Sequence, residues 1–311
     1  MQRYDMEVVA INDPMDIEVQ AHLLKYDSVH GRANFDINIG EGFLTINNDK
    51  KVSVFDHRDP AMIPWGELGV DIVVECSGRF KSKEQLVNHL KPGVKRIILS
   101  VPPETDDIKT IVLGVNEQLI SDEDLIVSNA SCTTNNAAPM IKVMQSIAEI
   151  ESAFITTIHS YTTDQGLHDA PHKDLRRARA AAQSIVPTTT GAAKALTKVF
   201  PDLSDSLGGC GIRVPVPDGS LTDITFSLSK PIVVEQVNEA FRIAAENGLK
   251  GILEYTEDPI VSRDVIGNPA SCLFDSQLTS VVGKMVKVVG WYDNEIGYSN
   301  RLADLAAYLS R

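Results

Sequence analysis

An α/β fold is predicted: a doubly wound parallel sheet in the first part of the chain, then an α+β domain built on a mostly antiparallel sheet. Three observations predict it. From Glu7 to Val127, Val/Ile-rich runs ("MEVVAIND", "DIVVECSG", "RIILSVP", "LIVSNAS") alternate with stretches of helical spacing ("DIEVQAHLLKY", "KSKEQLVNHL"). Continuous apolar strands separated by helices imply a parallel sheet covered on both faces. Past Ile150 the strands lengthen and alternate polar with apolar residues ("SAFITTIHSYT", "GGCGIRVPVP", "SLTDITFSLSK", "SCLFDSQLTSVVG", "MVKVVGWYD"), as suits an antiparallel sheet with one half-exposed side. Finally, 311 residues exceed what one core usually reaches, so two domains are expected.

In chain order, "EVVAIND" reads as a buried strand closed by Asp13. "FLTINNDKKVSVFDHRDP" reads as a small antiparallel hairpin inserted in the winding. An amphipathic helix begins within a few residues of Ser128, and a strand follows it to His159. The stretch from Thr163 to Pro187 is a long, Pro-punctuated loop carrying the only dense basic cluster, "HKDLRRARA"; loops of this length in compact domains are usually functional or disordered. Helices are expected near Thr189 to Phe200 and Val234 to Asn247, covering one side of the sheet. "YSNRLADLAAYLSR" has the spacing of a terminal helix.

Lys and Arg total 29 against 42 Asp and Glu, for a net charge of -13. Such a balance disfavours general attraction to nucleic acid or anionic membrane, so any anion must be bound locally. No apolar run reaches the ~18 residues of a membrane span, and no leader pattern opens the chain; a cytoplasmic location is expected. Cys76, Cys132, Cys210 and Cys272 show neither paired nor metal-ligand spacing, so no disulfide framework and no metal are expected.

The sharpest local signal is "SNASCTTNNAAPMIKVM". Cys132 falls at or beside a helix amino terminus, where unpaired N–H groups and the helix dipole favour a thiolate, predicting a lowered pKa and a nucleophile. Ser131, Thr133 and Thr134 add hydroxyls and N–H groups suited to an oxyanion or phosphate. The competing reading of any lone Cys after a strand is a small buried hydrophobe; the polar surroundings favour the nucleophile. His159 is the best-placed base, since a helix and a returning strand bring it to the same sheet edge. By spacing alone it serves equally well as a capped strand-end residue.

With "ASCTTN", "HSYT", "PTTTGAAKA", "RVPVPDGSLTD" and "WYDNEIGYSNR" in order, the chain resembles the phosphorylating glyceraldehyde-3-phosphate dehydrogenases over essentially its whole length. The resemblance implies oxidation of D-glyceraldehyde 3-phosphate with NAD and inorganic phosphate to the acyl phosphate. Cys132 would form the thiohemiacetal and acyl-enzyme, with His159 as base. Thr162, Asp164 and Arg213 would hold the substrate's phosphate, and Ser131, Thr133, Thr190 and Gly191 the attacking phosphate; without the family, Thr188 to Gly191 read as simple helix capping. Asp13 would accept from the adenosine ribose and repel a 2′-phosphate, favouring NAD. Pro171 accompanies NAD preference, although Ala170 beside it is small for that role. Arg58 and Ser100 would contact the cofactor, and Asn294 would orient its carboxamide with Tyr298 nearby.

The resemblance also implies that the basic loop lines the cofactor cleft and joins subunits of a homotetramer. The implied domains are residues 1–131 for NAD, 132–295 for catalysis, and 296–311 as a helix returning to the first. Where many members carry a second Cys after the nucleophile, Asn136 stands here. The family's Rossmann opening of strand, Gly-rich turn and helix is not found before "MEVVAIND", Met1 to Asp5 reading only as the tail of that helix. A start assigned too late is the expectation. Strand 1 is central in the order 3-2-1-4-5-6, so its loss should split the sheet and weaken NAD binding, with each unpaired buried group costing roughly 1 to 3 kcal/mol. Erythrose-4-phosphate dehydrogenase is the rival enzyme reading, and a non-catalytic scaffold the rival of another class.

Overall fold

The computed structural model of the chain describes residues 6–311; the expectation for Met1 to Asp5 lies outside them. The backbone divides into two units, one of residues up to 109 with 121–128 and 304–311, the other of residues 110–120 with 129–303.

The first unit opens with β1 (Ala10–Asn12), α1 (Ile17–Lys25), β2 (Ile37–Gly40), β3 (Phe43–Ile46) and β4 (Lys50–Phe55). β1 lies parallel to β4, while β2, β3 and β4 pair antiparallel. The predicted hairpin is therefore present, and one strand was missed beside it. Its turn places Asn47 and Asn48 at φ 53° and 62°, a left-handed region that Asn tolerates better than most side chains.

A second sheet holds β5 (Ile72–Glu75), β6 (Arg96–Leu99), the two-residue β7 (Lys109–Thr110) and β8 (Ile126–Ser128), in the order β5-β6-β8-β7. β6 is parallel to both neighbours β5 and β8. The parallel winding is thus carried by two sheets: among the described residues β1 pairs only with β4 and β5 only with β6. Both feed one apolar cluster, in which Val9, Ala10 and Phe55 pack against Val73, Ile97, Leu99 and Ile126. The helix predicted from "KSKEQLVNHL" shrinks to α2 (Lys83–Leu86) and a 3-10 turn at Val87–His89. Ser82 and Gln85 start it with a reciprocal cap. Asn88 then turns its side chain back to the Gln85 carbonyl (3.0 Å), a local bond that competes with helix, and Pro92 follows.

The second unit begins with α3 (Cys132–Ile147), β9 (Ile150–Ser160), β10 (Val186–Thr188), α4 (Ala192–Val199), β11 (Leu207–Val214), β12 (Ser220–Leu228) and α5 (Val234–Glu246). β13 (Leu253–Thr256), β14 (Cys272–Asp275), β15 (Ser280–Val282), β16 (Met285–Tyr292) and α6 (Ile296–Leu309) complete it, the end of α6 grouping with the first unit. The sheet runs β10-β11-β9-β12-β16-β14-β13, with β15 on β16. Its antiparallel ladders are interrupted by two parallel pairs, β9 with β11 and β13 with β14, so the sheet is mixed rather than nearly all antiparallel. "SCLFDSQLTSVVG" is two strands, not one: a turn at Ser276–Leu278, capped by the Asp275 carboxylate accepting from Gln277 N–H (3.1 Å), divides it.

One face of this sheet is the larger core. β12 alternates buried and half-buried residues along its length. Ile224 and Phe226 meet Met140, Ile141 and Met144 of α3, Leu196 of α4 and Phe241 of α5. Phe241 stacks on Phe274 at 3.8 Å between ring centres. At Gly290 a Cβ would lie 2.6 Å from Cys272 Sγ and 2.8 Å from Met140 Sδ. Only glycine lets α3 press this closely on the sheet, which fixes the height of the helix that begins with Cys132.

Candidate active site

Cys132 is the first residue of α3. Ser131 caps the helix, its hydroxyl accepting from Thr134 N–H (3.2 Å) and bonding the Thr134 hydroxyl (2.8 Å). Ahead of the cap, Ala130 sits at φ 58°, a left-handed conformation costing a non-glycine residue roughly 1–3 kcal/mol. Three bonds hold this elbow: Asn135 donates to the carbonyls of Asn129 (2.8 Å) and Ser131 (3.0 Å), and Tyr298 donates to that of Ala130 (3.3 Å). Asn136 donates to the Ser271 and Trp291 carbonyls (both 3.2 Å), tying α3 to the sheet.

His159 Nε2 lies 3.5 Å from Cys132 Sγ. The parallel register of β9 and β11 sets His159 beside Arg213, which donates to His159 Nδ1 (2.7 Å) and to the Ser160 carbonyl (2.8 Å). Burial, and then the Arg213 charge, lower the His159 pKa from 6.5 to about 4, with Arg177 adding in the same sense and the Ser160 carbonyl opposing. The imidazole is therefore neutral at pH 7. For Cys132 the expected lowering is reversed: burial pushes the thiol up, outweighing the Thr133 N–H, the Arg213 charge and the Thr133 hydroxyl, which favour thiolate. A helix start and one cation do not offset a largely dehydrated sulfur.

Arg177 stands behind Arg213. It donates to the Thr188 hydroxyl (2.8 Å), Asp164 (2.7 Å) and the Thr189 carbonyl (3.1 Å), while Thr188 donates to Asp174 (2.9 Å). His172 also meets Asp164 at 3.3 Å. The Asp164 carboxylate is thus committed to Arg177 and His172, and it reaches a phosphate only through the cation it holds. Arg177 joins the loop to the segment that starts α4, where Thr190 caps by accepting from Ala192 N–H (3.2 Å) and Gly191 is the residue preceding the helix. Thr162 lies on the same loop, its carbonyl accepting from Gln165 N–H (2.9 Å).

Of the residues expected to hold the attacking phosphate, Ser131 spends its hydroxyl on the cap and Thr133 bonds the Tyr292 hydroxyl (2.9 Å). Tyr292 also meets Thr157 (3.0 Å), and its ring stands edge-on to His159 at 5.9 Å. Arg177 was read only as one of a basic cluster, and Tyr292 was missed. Its signal, an aromatic closing a strand within "GWYDNEIGY", is too general to find it.

The expected cofactor residues fall in both units. In the first, Asp13 directly follows β1, its carboxylate accepting from Met15 N–H (2.9 Å). Asn12 clamps the neighbouring strand end by donating to the His57 carbonyl (2.9 Å) and accepting from His57 N–H (3.0 Å), which fixes the backbone entering Arg58. Ser100 directly follows β6, its N–H donating to the Glu75 carbonyl (3.0 Å). All three therefore sit beyond the carboxyl ends of parallel strands, where nucleotides bind in open α/β sheets. In the second unit, Asn294 Oδ1 accepts from the hydroxyls of Ser160 (2.9 Å) and Ser220 (2.7 Å). That fixes the amide and assigns Nδ2 as its donor end, the polarity a carboxamide oxygen needs. Pro171 is exposed on the loop. These donors and acceptors fit a nicotinamide dinucleotide. Among the described residues no helix is long and apolar enough to cross a membrane.

Comparison with known proteins agrees with this chemistry. The family profile for glyceraldehyde 3-phosphate dehydrogenase, C-terminal domain, matches residues 131–294, and that for the NAD binding domain matches residues 1–83. The chain is 52% identical to glyceraldehyde-3-phosphate dehydrogenase of Geobacillus stearothermophilus over 98% of its own length and 91% of that protein's. It is 51% identical to the proteins of that name from Streptomyces coelicolor, over 99% of the chain and 92% of the relative, and Mycobacterium avium, over 99% and 91%.

Proposed function

The chain belongs to the glyceraldehyde-3-phosphate dehydrogenase family and is an NAD-dependent oxidoreductase acting on glyceraldehyde 3-phosphate; from that premise we propose the role each site residue takes. The contact of 3.5 Å between Cys132 Sγ and His159 Nε2 carries the assignment. Because the thiol is protonated and the imidazole neutral, attack requires the Cys132 proton to pass to Nε2 as sulfur adds to the aldehyde carbon, giving a thiohemiacetal. His159 then holds or returns a proton at the substrate oxygen. When bound, NAD supplies the two-electron acceptor for the oxidation. Asp13, Arg58 and Ser100 hold its adenosine side, and Asn294, Tyr298 and Pro171 border its nicotinamide side. An acyl thioester remains on Cys132, and inorganic phosphate releases it as the acyl phosphate.

Arg213, with Thr162, takes the substrate's phosphate, and Asp164 acts by holding Arg177. The attacking phosphate is received at the start of α4 by Thr190 and Gly191, with Ser131 and Thr133 bordering it. Two guanidinium groups near one another make a local anion trap in a chain of net charge -13. A cytoplasmic homotetramer is the assembled form; strongly exposed Leu167, Leu175 and Ile185 on the long loop supply apolar surface for subunit contact, and sedimentation would test it.

The deciding assay follows NADH formation from D-glyceraldehyde 3-phosphate and D-erythrose 4-phosphate, each with and without inorganic phosphate. The triose substrate is expected to turn over repeatedly only with phosphate. Faster, phosphate-independent oxidation of the tetrose would replace this reading, and no turnover of either, with Cys132 no more reactive than the other thiols, would favour a scaffold.

A further inference from the structure

We propose that Arg213 sets which ring nitrogen of His159 carries the proton, and that a phosphate ester bound by Arg213 moves that proton, converting His159 from a donor toward sulfur into the base Cys132 needs. The inference rests on the reading that Arg213 receives the substrate's phosphate.

A guanidinium has donors only and stays charged. With Arg213 2.7 Å from Nδ1, that nitrogen must present its lone pair, so the neutral ring keeps its single proton on Nε2, facing Sγ at 3.5 Å. In this tautomer His159 can donate to sulfur but has no lone pair there to receive the thiol proton. The opposite tautomer already has its acceptor in place, because the Ser160 carbonyl lies 2.8 Å from Nδ1. Arg213 bonds that same carbonyl and so blocks the arrangement it would otherwise support.

Drawing the guanidinium onto an ester phosphate releases both atoms. One proton leaves Nε2 and one arrives on Nδ1 by exchange with water, with no change in ring charge; Nδ1–H donates to Ser160, and the Nε2 lone pair faces the thiol. The Cys132 proton then passes to Nε2, giving thiolate and imidazolium. Neutralising Arg213 with the phosphate also lessens the charge that disfavours that imidazolium.

Other groups facing the ring do not duplicate this action. Tyr292 on β16 presents its ring edge-on, and its hydroxyl is engaged by Thr133 and Thr157. Arg177 on the loop acts on His159 through charge, its donors being held by Asp164, Thr188 and Thr189. Cys132 on α3 meets Nε2. Arg213 is thus a positioning residue whose state reports whether a phosphorylated substrate is bound, and an aldehyde without phosphate meets His159 in the wrong tautomer.

The test is nitrogen NMR of the full chain carrying labelled histidine, with the His159 signals identified by their loss in His159→Asn, before and after saturation with glycerol 3-phosphate, an ester with no aldehyde. The expected result is a shift from mainly Nε2–H to mainly Nδ1–H on adding the ester, and Nδ1–H throughout in Arg213→Gln. Calorimetry measures ester binding in parallel. Ester binding that needs Arg213 but leaves the tautomer unchanged, or Nδ1–H in the ester-free chain, overturns the switch alone. Equal binding by the chain and Arg213→Gln, or none by either, overturns the phosphate reading and the switch with it. Should Arg213→Gln not fold, Arg213→Lys, which keeps a cationic donor, must show Nε2–H without ester; Nδ1–H there contradicts the proposal.

Discussion

The two units bury strands of the same chain in different ways. In the second, β9 has a long neighbour on each side, parallel β11 and antiparallel β12, and α3, α4 and α5 cover one face with a continuous core from Ile141 to Phe274. In the first, β1 and β5 each have one ladder among the described residues. The first unit's apolar cluster is small, and Val19, Leu23, Leu24 and Val74 remain exposed. Cys132, His159 and Arg213, which must be held within fractions of an ångström, stand on the doubly laddered unit, whereas Asp13, Arg58 and Ser100 stand just past strand ends of the other. The contrast teaches that the reacting groups are fixed by the backbone ladder, while the groups expected to hold adenosine depend on short strands and side-chain clamps.

The largest effect that can break this comparison is chemical. Cys132→Ser should lower kcat for aldehyde oxidation by about 10⁴ or more, while circular dichroism and thermal melting stay close to the parent; a large fall in Tm would mean that the thiol is structural. Next comes packing. Phe274→Ala removes a ring stacked on Phe241 and should cost about 3–5 kcal/mol in a denaturant titration. Truncating exposed Val74 of β5 to Ala should change stability by less than about 1 kcal/mol. Equal losses would show that the two units are not built as differently as their ladders suggest.

Acid sharpens the same contrast through His159. Its pKa falls from 6.5 to about 4 on folding, so the unfolded chain binds the proton first. The stability this group contributes is complete above pH 6.5 and is lost as pH falls toward 4, about 3 kcal/mol in all. Comparing the pH dependence of unfolding for the parent and His159→Asn should show that portion of the loss absent in the variant. The smallest expected effect is at Asn12: Asn12→Ala opens the clamp on His57, should cost about 1–2 kcal/mol, and should weaken NAD binding several-fold by calorimetry without changing the alkylation rate of Cys132.

Much of the nucleophile's setting was legible because it is local. "SNASC" closes a strand and starts a helix within a few residues, and the return to His159 follows from helix length. The pairing of His159 with Arg213 was not legible, since it arises from a parallel register between strands far apart in sequence. Arg177 was visible only as a charge in a basic loop, because its importance lies in three bonds that fold the loop back on Thr188. The thiol's raised pKa was missed for a related reason: the favourable N–H groups are sequence neighbours, but the burial that overrides them comes from the whole unit. In the first unit α2 was overestimated because its spacing was helical while Asn88 and Pro92 end it.

The central claim, that Cys132 carries the substrate as an acyl thioester released by phosphate, is tested most directly by peptide mass mapping. The chain is incubated with NAD and D-glyceraldehyde 3-phosphate without inorganic phosphate. The account predicts a phosphoglyceroyl adduct on the Cys132 peptide alone, discharged when inorganic phosphate is added. Continued turnover with Cys132 unmodified, or an adduct on Cys76, Cys210 or Cys272 instead, would contradict it.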